Sequence, residues 1–306
     1  MKALVTGGAG FVGRHLTRHL EDMGDTVIAV DRHTGPDLLD ADGVRSLLCD
    51  VQPDAVYHLG GWSDVGGSWQ TPHETFRVNA DGTLNVLQGC VQARVRRVLV
   101  ISSADVYGRV QLSELPLRED APLRPVSPYA ASKIAADYLG LQAWLGYGIE
   151  VMRVRAFNHL GPGQTNRFVA PALAERIALN ELEGREVVPV GNLTPRRDFT
   201  DVRDVVRAYR LLIVHGEAGE AYNVCSGKDI AISELADRLV AMALREMRLE
   251  EDQTLQRPVD VPVLRGDYTK LHKATNWEPE IGLDQTLADI LAEWRRVVGV
   301  PVPPTY

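Results

Sequence analysis

Apolar positions along the chain follow two alternating rhythms. Lys2-Ala3-Leu4-Val5 is a short apolar run of strand type, and after a glycine-rich turn Val12, Leu16 and Leu20 recur at helical spacing. Thr26-Val27-Ile28-Ala29-Val30 is a continuous, largely β-branched run, the pattern of a strand buried on both faces. A short connection through Gly35-Pro36 and Asp37-Leu38-Leu39-Asp40 leads to a helix near residues 41–50. Ala55-Val56-Tyr57-His58-Leu59 repeats the strand pattern and is closed by Gly60-Gly61; a long helix is predicted over roughly 71–93. Arg97-Val98-Leu99-Val100-Ile101 is the next strand and ends in Ser102-Ser103. Residues 111–127 are polar and proline-rich, a loop, and Ser127-Pro128 opens a helix to about Gly146, with Pro128 suited to its first turn. Residues 150–155 form a further strand.

Strand and helix alternate regularly, which predicts an α/β fold with a Rossmann-type, doubly wound parallel sheet. Catalytic groups then gather at the carboxyl ends of the strands. After Phe157 the pattern changes: Asn158-His159-Leu160-Gly161-Pro162-Gly163-Gln164 is loop-like, later elements are less regular, and several arginines sit between them. We therefore expect a dinucleotide-binding domain over 1–157. A smaller α/β substrate-binding region would occupy mainly 158–306, built from about 158–205 and 226–280. Returns to the first domain are expected near 205–225, around Ala221-Tyr222-Asn223-Val224, and in the last helix, 283–298. Residues 301–306 read as a loose tail.

Composition narrows the function. The 306 residues carry a formal net charge of −8, which argues against nucleic acid or a membrane surface as partner while leaving room for a local basic cluster. Cys49, Cys90 and Cys225 are scattered without metal-ligand spacing, so no metal is expected and they read as reduced, mostly buried thiols of a cytoplasmic protein. The chain enters its first core strand at residue 2, which predicts no signal peptide, and no apolar stretch approaches the ~18 residues of a membrane span.

The first candidate chemistry lies in Thr6-Gly7-Gly8-Ala9-Gly10-Phe11-Val12-Gly13. Gly7 permits a tight turn, Gly10 leaves room for a pyrophosphate, and Gly13 lets the helix approach the strand. The helix N-terminus then offers N–H groups to phosphates. A surface turn is the plain alternative, but the flanking strand and helix, and Asp31 at the end of the next strand, favour a dinucleotide. No Gly-Lys-Ser/Thr follows, which excludes a phosphate-loop NTPase. Asp31 would accept the ribose hydroxyls of NAD and repel the 2′-phosphate of NADP, so NAD is favoured; Arg32, directly beside it, could instead pair with that phosphate.

The second lies in Tyr129-x-x-x-Lys133, two side chains one turn apart on a helix face. A lysine cation beside a phenol lowers its pKa, so Tyr129 is expected to exchange a proton with an alcohol or ketone, with Ser103 hydrogen-bonding the same oxygen.

These stretches, with Ser102-Ser103-Ala104-Asp105-Val106-Tyr107-Gly108 and Ser127-Pro128-Tyr129-Ala130-Ala131-Ser132-Lys133, resemble the extended short-chain dehydrogenases, which modify nucleotide-activated sugars. Arg155-Ala156-Phe157-Asn158-His159-Leu160-Gly161-Pro162-Gly163-Gln164, Arg197-Asp198-Phe199-Thr200-Asp201-Val202 and Arg257-Pro258-Val259-Asp260-Val261-Pro262 are most similar to the GDP-4-keto-6-deoxy-mannose reductases among them. The resemblance implies catalysis by Ser103, Tyr129 and Lys133, with Lys133 also reaching the nicotinamide ribose. It implies a cofactor site lined by Gly7, Gly10, Phe11, Val12, Gly13, Asp31, Arg32, Asp37, Leu38, Leu59, Gly60, Gly61 and Asn79. Asn158, Arg197 and Arg257 would hold the substrate's diphosphate or ribose, as guanidinium forks and amide donors do. Ser68, Val169 and Asp105 are further substrate candidates, while His159 is read as a loop-structuring residue. Two departures stand out. The 31–37 connection lacks the usual intervening helix. Asp105 stands where dehydratases of the family carry a glutamate that helps eliminate water, though a loop-capping role suits an aspartate better.

The expected reaction is NAD(P)H-dependent reduction of a nucleotide-linked 4-keto-6-deoxyhexose, GDP-4-keto-6-deoxy-mannose to GDP-rhamnose. The alternatives are a nucleotide-sugar 4-epimerase with tightly bound NAD, then a 4,6-dehydratase, and from another class a noncatalytic dinucleotide sensor. Family habit predicts a homodimer through helices near 72–93 and 128–146, with Leu139, Leu141 and Trp144 on the shared face.

Overall fold

The computed structural model describes residues 1–255 and 261–300. Its order is β1 (Lys2–Thr6), α1 (Phe11–Asp22), β2 (Thr26–Val30), α2 (Ala41–Val51), β3 (Ala55–His58), α3 (Pro72–Phe76), α4 (Gly82–Gln92), β4 (Arg97–Ser103), α5 (Pro128–Tyr147) and β5 (Glu150–Ala156). There follow β6 (Asn158–Leu160), α6 (Val169–Glu183), β7 (Val187–Val190), β8 (Arg196–Asp201), α7 (Val202–His215) and β9 (Ala221–Val224). The chain continues through β10 (Asp229–Ala231), α8 (Ile232–Ala241), β11 (Arg248–Glu251), β12 (Val263–Leu264), α9 (Thr269–Thr275) and α10 (Leu283–Val298).

The main sheet is parallel throughout, in the order β2-β1-β3-β4-β5-β9. Chain direction across the sheet reverses between β1 and β3, the crevice where such sheets place ligands. Side-chain alternation sends the strands' residues to two cores. Ala3, Val5, Tyr57, Leu99 and Met152 pack with Leu16 and Leu20 of α1 and with α7; Leu4, Val56, Val98 and Val151 pack with α2, α4 and α5. α5, which carries Tyr129 and Lys133, is pinned to β5 by Asp137, buried and ion-paired to both Arg153 and Arg155.

A second core joins α6, β7, α8 and α10. Here β10, antiparallel, and β12, parallel, flank β8, β6 pairs in parallel with the end of β8, and β7 pairs with β11.

Three expectations are corrected. β2 is an edge strand with Thr26 and Ala29 exposed, because the short segment after it contributes no further strand; a β-branched run does not by itself distinguish the edge from the middle. The helix predicted over 71–93 is α3 and α4 joined by a π turn, Arg77–Asp81, and hydrophobic spacing does not register one extra residue in a turn. Finally, α10 does not return to the first domain. Leu287, Ile290 and Leu291 are buried in the second core beside α6 and α8. The tail 301–306 lies outside the described residues.

Candidate active site

The turn after β1 is shaped by backbone approach. Gly7 has φ +72°, and a Cβ there would lie 2.9 Å from the Gly60 nitrogen. A Cβ on Gly13 would lie 2.1 Å from the Gly7 carbonyl oxygen. No side chain fits either position, so the ends of β1 and β3 abut the start of α1. Gly10 occupies the α1 N-cap, and among the described residues no side chain caps it, leaving first-turn N–H groups directed at the crevice. Phe11 and Val12 begin this helix; the Phe11 ring lies edge-on to His15 and stacks on His159 at 6.3 Å. This cradle of small residues before a helix N-terminus fits a dinucleotide diphosphate.

The other cofactor candidates surround it. Asp31 turns inward on its own loop: Oδ1 accepts from His33 N (2.7 Å), Thr34 N and Thr34 Oγ1 (both 3.1 Å), which holds the carboxyl below its usual range. Arg32 is exposed and its Nε donates to His33 Nε2 at 3.2 Å. The 31–40 stretch is free of helix, as the short connection predicts. Asp37 Oδ1 accepts from Leu39 N, Asn85 Nδ2 donates to the Leu38 carbonyl, and the Leu38 side chain lies under Gly60 and Gly82. Leu59, half-buried, leads into Gly60 and Gly61. Asn79 is buried: Oδ1 accepts from Trp62 N (2.7 Å), and Nδ2 donates to Ser132 Oγ (2.8 Å) and the Trp62 carbonyl (3.2 Å). Asn79 thus ties the segment after β3 to α5.

The catalytic candidates converge. Ser103, the last residue of β4, donates to Asp105 Oδ2 at 3.0 Å and accepts from Asp105 N at 3.2 Å, so Asp105 ties down the serine as the loop-capping reading expects. The Ser103 side chain is close enough to the Tyr129 hydroxyl to favour its ionised form, against the larger effect of burial. Lys133 Nζ donates to the Ile101 carbonyl at 3.0 Å and stands 6.0 Å from the Tyr129 ring centroid. Titration departs from expectation here. Burial, and then the Asp105 charge, push the Tyr129 phenol up, while burial pushes Lys133 down to about 8. Burial outweighs every other influence on the phenol here and keeps it from approaching neutrality. A phenol held protonated is the form that gives a proton to a carbonyl oxygen.

Ser68 is also corrected. It is fully buried, its hydroxyl accepts from Tyr129 N (3.3 Å) and donates to the Val65 carbonyl (2.7 Å), and it supports the catalytic helix rather than facing a substrate.

A cavity of about 390 Å³ lies among β6, α6, β7 and β8. Ser103 is in register with Ala156 of β5, and two residues on, Asn158 and His159 form the cavity's near wall. Val169 and Arg197 line it; Arg257 lies outside the described residues. The sequence reading passed over Arg167 and Arg176, which also line it, and Asn192, which does too. Arg176 was detectable as the single cation on the otherwise small and apolar helical run from Ala170 to Ala178 that carries one glutamate beside it. Among the described lining residues there are three arginines and no carboxylate, a local positive site in an acidic chain. His159 Nδ1 bonds the Phe157 carbonyl and its ring rests on Phe11, so it structures the wall, as read.

The profile of the NAD dependent epimerase/dehydratase family matches residues 3–225. The chain belongs to this family. As a member of the NAD dependent epimerase/dehydratase family it is an NAD(P)-dependent nucleotide-sugar enzyme of the extended short-chain type. It is 40% identical to the GDP-6-deoxy-D-mannose reductase of Pseudomonas aeruginosa over 297 residues, 96% of this chain and 97% of that one. The structure of RMD from Pseudomonas aeruginosa complexed with NADPH superposes with a TM-score of 0.89 at 39% identity, covering 97% of this chain and 99% of that one. The Thermus thermophilus UDP-glucose 4-epimerase complexed with NAD superposes with a TM-score of 0.86 at 29% identity, covering 96% and 99%.

Proposed function

We propose that this enzyme reduces the 4-keto group of a nucleotide-linked 4-keto-6-deoxyhexose, converting GDP-4-keto-6-deoxy-mannose to GDP-rhamnose. The observation that carries this reading is a cavity lined by Arg167, Arg176 and Arg197 whose wall, Asn158 and His159, follows β5 two residues after Ala156, the register partner of Ser103. The full-length similarity to a GDP-6-deoxy-D-mannose reductase supports it. Bound reduced nicotinamide supplies the hydride for the carbonyl carbon. Ser103 turns its hydroxyl proton from Asp105 to the carbonyl oxygen and orients it, Tyr129 gives that oxygen its proton, and Lys133 places a cation one helical turn from Tyr129. Arg197, with Arg167 and Arg176, neutralises the substrate diphosphate, and Asn158 and Val169 complete the wall. Asp105, bound to Ser103, orders the serine and does not act in elimination.

The chain works as a homodimer in this reading, through the expected helices but with other side chains on the shared face. Leu139 packs into the core and Trp144 against Gly219, whereas Tyr138 and Leu145 of α5 and Phe76 of α3 stand exposed and supply the shared surface. No helix among the described residues is long and apolar enough to cross a membrane. A reduced cytoplasm suits the free thiols: Cys90 and Cys225 are buried, although Cys49 is exposed.

The test is nicotinamide absorbance with purified enzyme, GDP-4-keto-6-deoxy-mannose, and NADH or NADPH. Stoichiometric oxidation is expected. Isomer formation from a UDP-hexose without added cofactor would point to the epimerase instead, and loss of water from GDP-mannose to the dehydratase. In the same assay Asp31→Asn should move the NADH/NADPH ratio of kcat/KM about tenfold toward NADPH, roughly 1.4 kcal/mol.

A further inference from the structure

His58 ends β3, is 3% exposed, and has no part in the chemistry above. It lies between two hydroxyls, with Nδ1 2.8 Å from Thr6 Oγ1 and Nε2 3.1 Å from Thr83 Oγ1. The direction of every bond in this group follows from its ends. Thr83 Oγ1 spends its one proton on the Asn79 carbonyl at 2.6 Å, so toward His58 it accepts, and the imidazole hydrogen sits on Nε2. Nδ1 then accepts from the Thr6 hydroxyl, which itself accepts from Gly60 N at 3.0 Å. The chain therefore reads Gly60 N–H to Thr6, Thr6 to His58, His58 to Thr83, Thr83 to Asn79. A neutral imidazole accepts at one end and donates at the other, which is what the row requires.

Both ends of this row matter to function. At one end Gly60 abuts Gly7, in the diphosphate turn. At the other, Asn79 Nδ2 holds Ser132 Oγ, which donates to the Tyr129 carbonyl at 2.7 Å, and Lys133 follows Ser132 directly. We propose that His58 is a positioning residue that ties the cofactor cradle to the helix carrying Tyr129 and Lys133, so that both keep one spacing. The row would break if the imidazole gained a second proton, because Nδ1 would then face Thr6 as a donor. Burial and the nearby Lys133 charge oppose this and hold His58 down to about 3.

The test uses the full-length protein and two readouts. Nitrogen NMR of the imidazoles, with His58 assigned by its loss in His58→Gln, should show a neutral Nε2–H tautomer throughout about pH 5.5 to 8.5. A titrating ring, or an Nδ1–H tautomer, overturns the direction of the row. Thr83→Val keeps the shape and removes the hydroxyl. It should raise the NADPH Kd in a fluorescence titration, and lower kcat, each about tenfold, while Thr83→Ser stays within about twofold of the parent. Since Thr83 touches neither end group's ligand, a merely structural role would lower Tm and leave both quantities unchanged well below that Tm. A Val variant that binds NADPH and turns over like the parent, or a Ser variant as impaired as Val, overturns the proposal.

Discussion

The two halves of the molecule treat their polar groups in opposite ways. At the carboxyl edge of the main sheet, Thr6, His58, Thr83, Asn79 and Ser132 spend their hydrogen bonds on one another, and Asp31 spends three on its own turn. What is left for a ligand there is shape and backbone N–H. Across β5, three arginines line an open cavity with no carboxylate among its described residues. In the proposed reading one half is largely finished before its ligand arrives and recognises it mainly by fit, with Asp31 adding a charge, while the other recognises charge. A cofactor common to many enzymes suits the first arrangement, and a substrate that must be told from its relatives suits the second.

Substitutions should separate the halves. The largest effect belongs where they meet. Tyr129→Phe removes the proton donor and should lower kcat by roughly 10³-fold. Its NADPH Kd, measured by fluorescence, should stay within about threefold of the parent, since the finished half is untouched.

Next, Gly13→Ala places a methyl group against the Gly7 carbonyl and should weaken NADPH binding about a hundredfold, or roughly 2.7 kcal/mol. Isothermal titration with GDP, a probe of the other half, should change little. Arg197→Ala reverses that pattern. Losing one charge-assisted contact, about 1.5–3 kcal/mol, should raise the substrate KM by roughly ten- to a hundredfold with NADPH affinity preserved; an equal loss of both would break the comparison.

The smallest effect is a pH dependence. Burial lowers Lys133 to about 8, so its ammonium is present below that pH and lost above it. The raised Tyr129 stays protonated over the same interval. kcat/KM, which reports the free enzyme, should therefore fall as pH rises through about 8, and Lys133→Arg should remove that alkaline limb at a lower plateau.

Much of the finished half was legible in the sequence because its constraints are steric and local. Gly7 and Gly13 stand where no Cβ fits, and Tyr129 and Lys133 share a helix face by spacing alone. The electrostatics were not legible. That Lys133 leaves Tyr129 raised depends on burial, on the Ile101 carbonyl and on Asp105, three neighbours brought together by folding. Ser68 looked like a substrate contact because its sequence neighbourhood does not show that it lies under the Tyr129 amide. In the open half Arg197 was found through its motif, whereas Arg167 and Arg176 were passed over because they reach the cavity from a loop and a helix far from that motif. The placement of α10 was missed for a related reason, since an amphipathic helix fits either core until packing decides.

The π turn at Arg77–Asp81 makes the length of one segment as critical as its composition. Each residue advances an α-helix by about 100°, so the residue wound into this turn sets the rotation of everything on one side of it relative to the other. Thr75 packs inward before the turn, Asn79 within it and Thr83 after it, all three buried. Deleting a single residue between them would restore an ordinary helix and swing one flank by that angle, taking Asn79 and Thr83 off the end of β3 together. This stretch should accept many substitutions on its exposed side, at Arg77 or Asp81, and no change in residue count. Among natural or designed relatives, variation here should run through side chains, with insertions and deletions confined to the connections on either side.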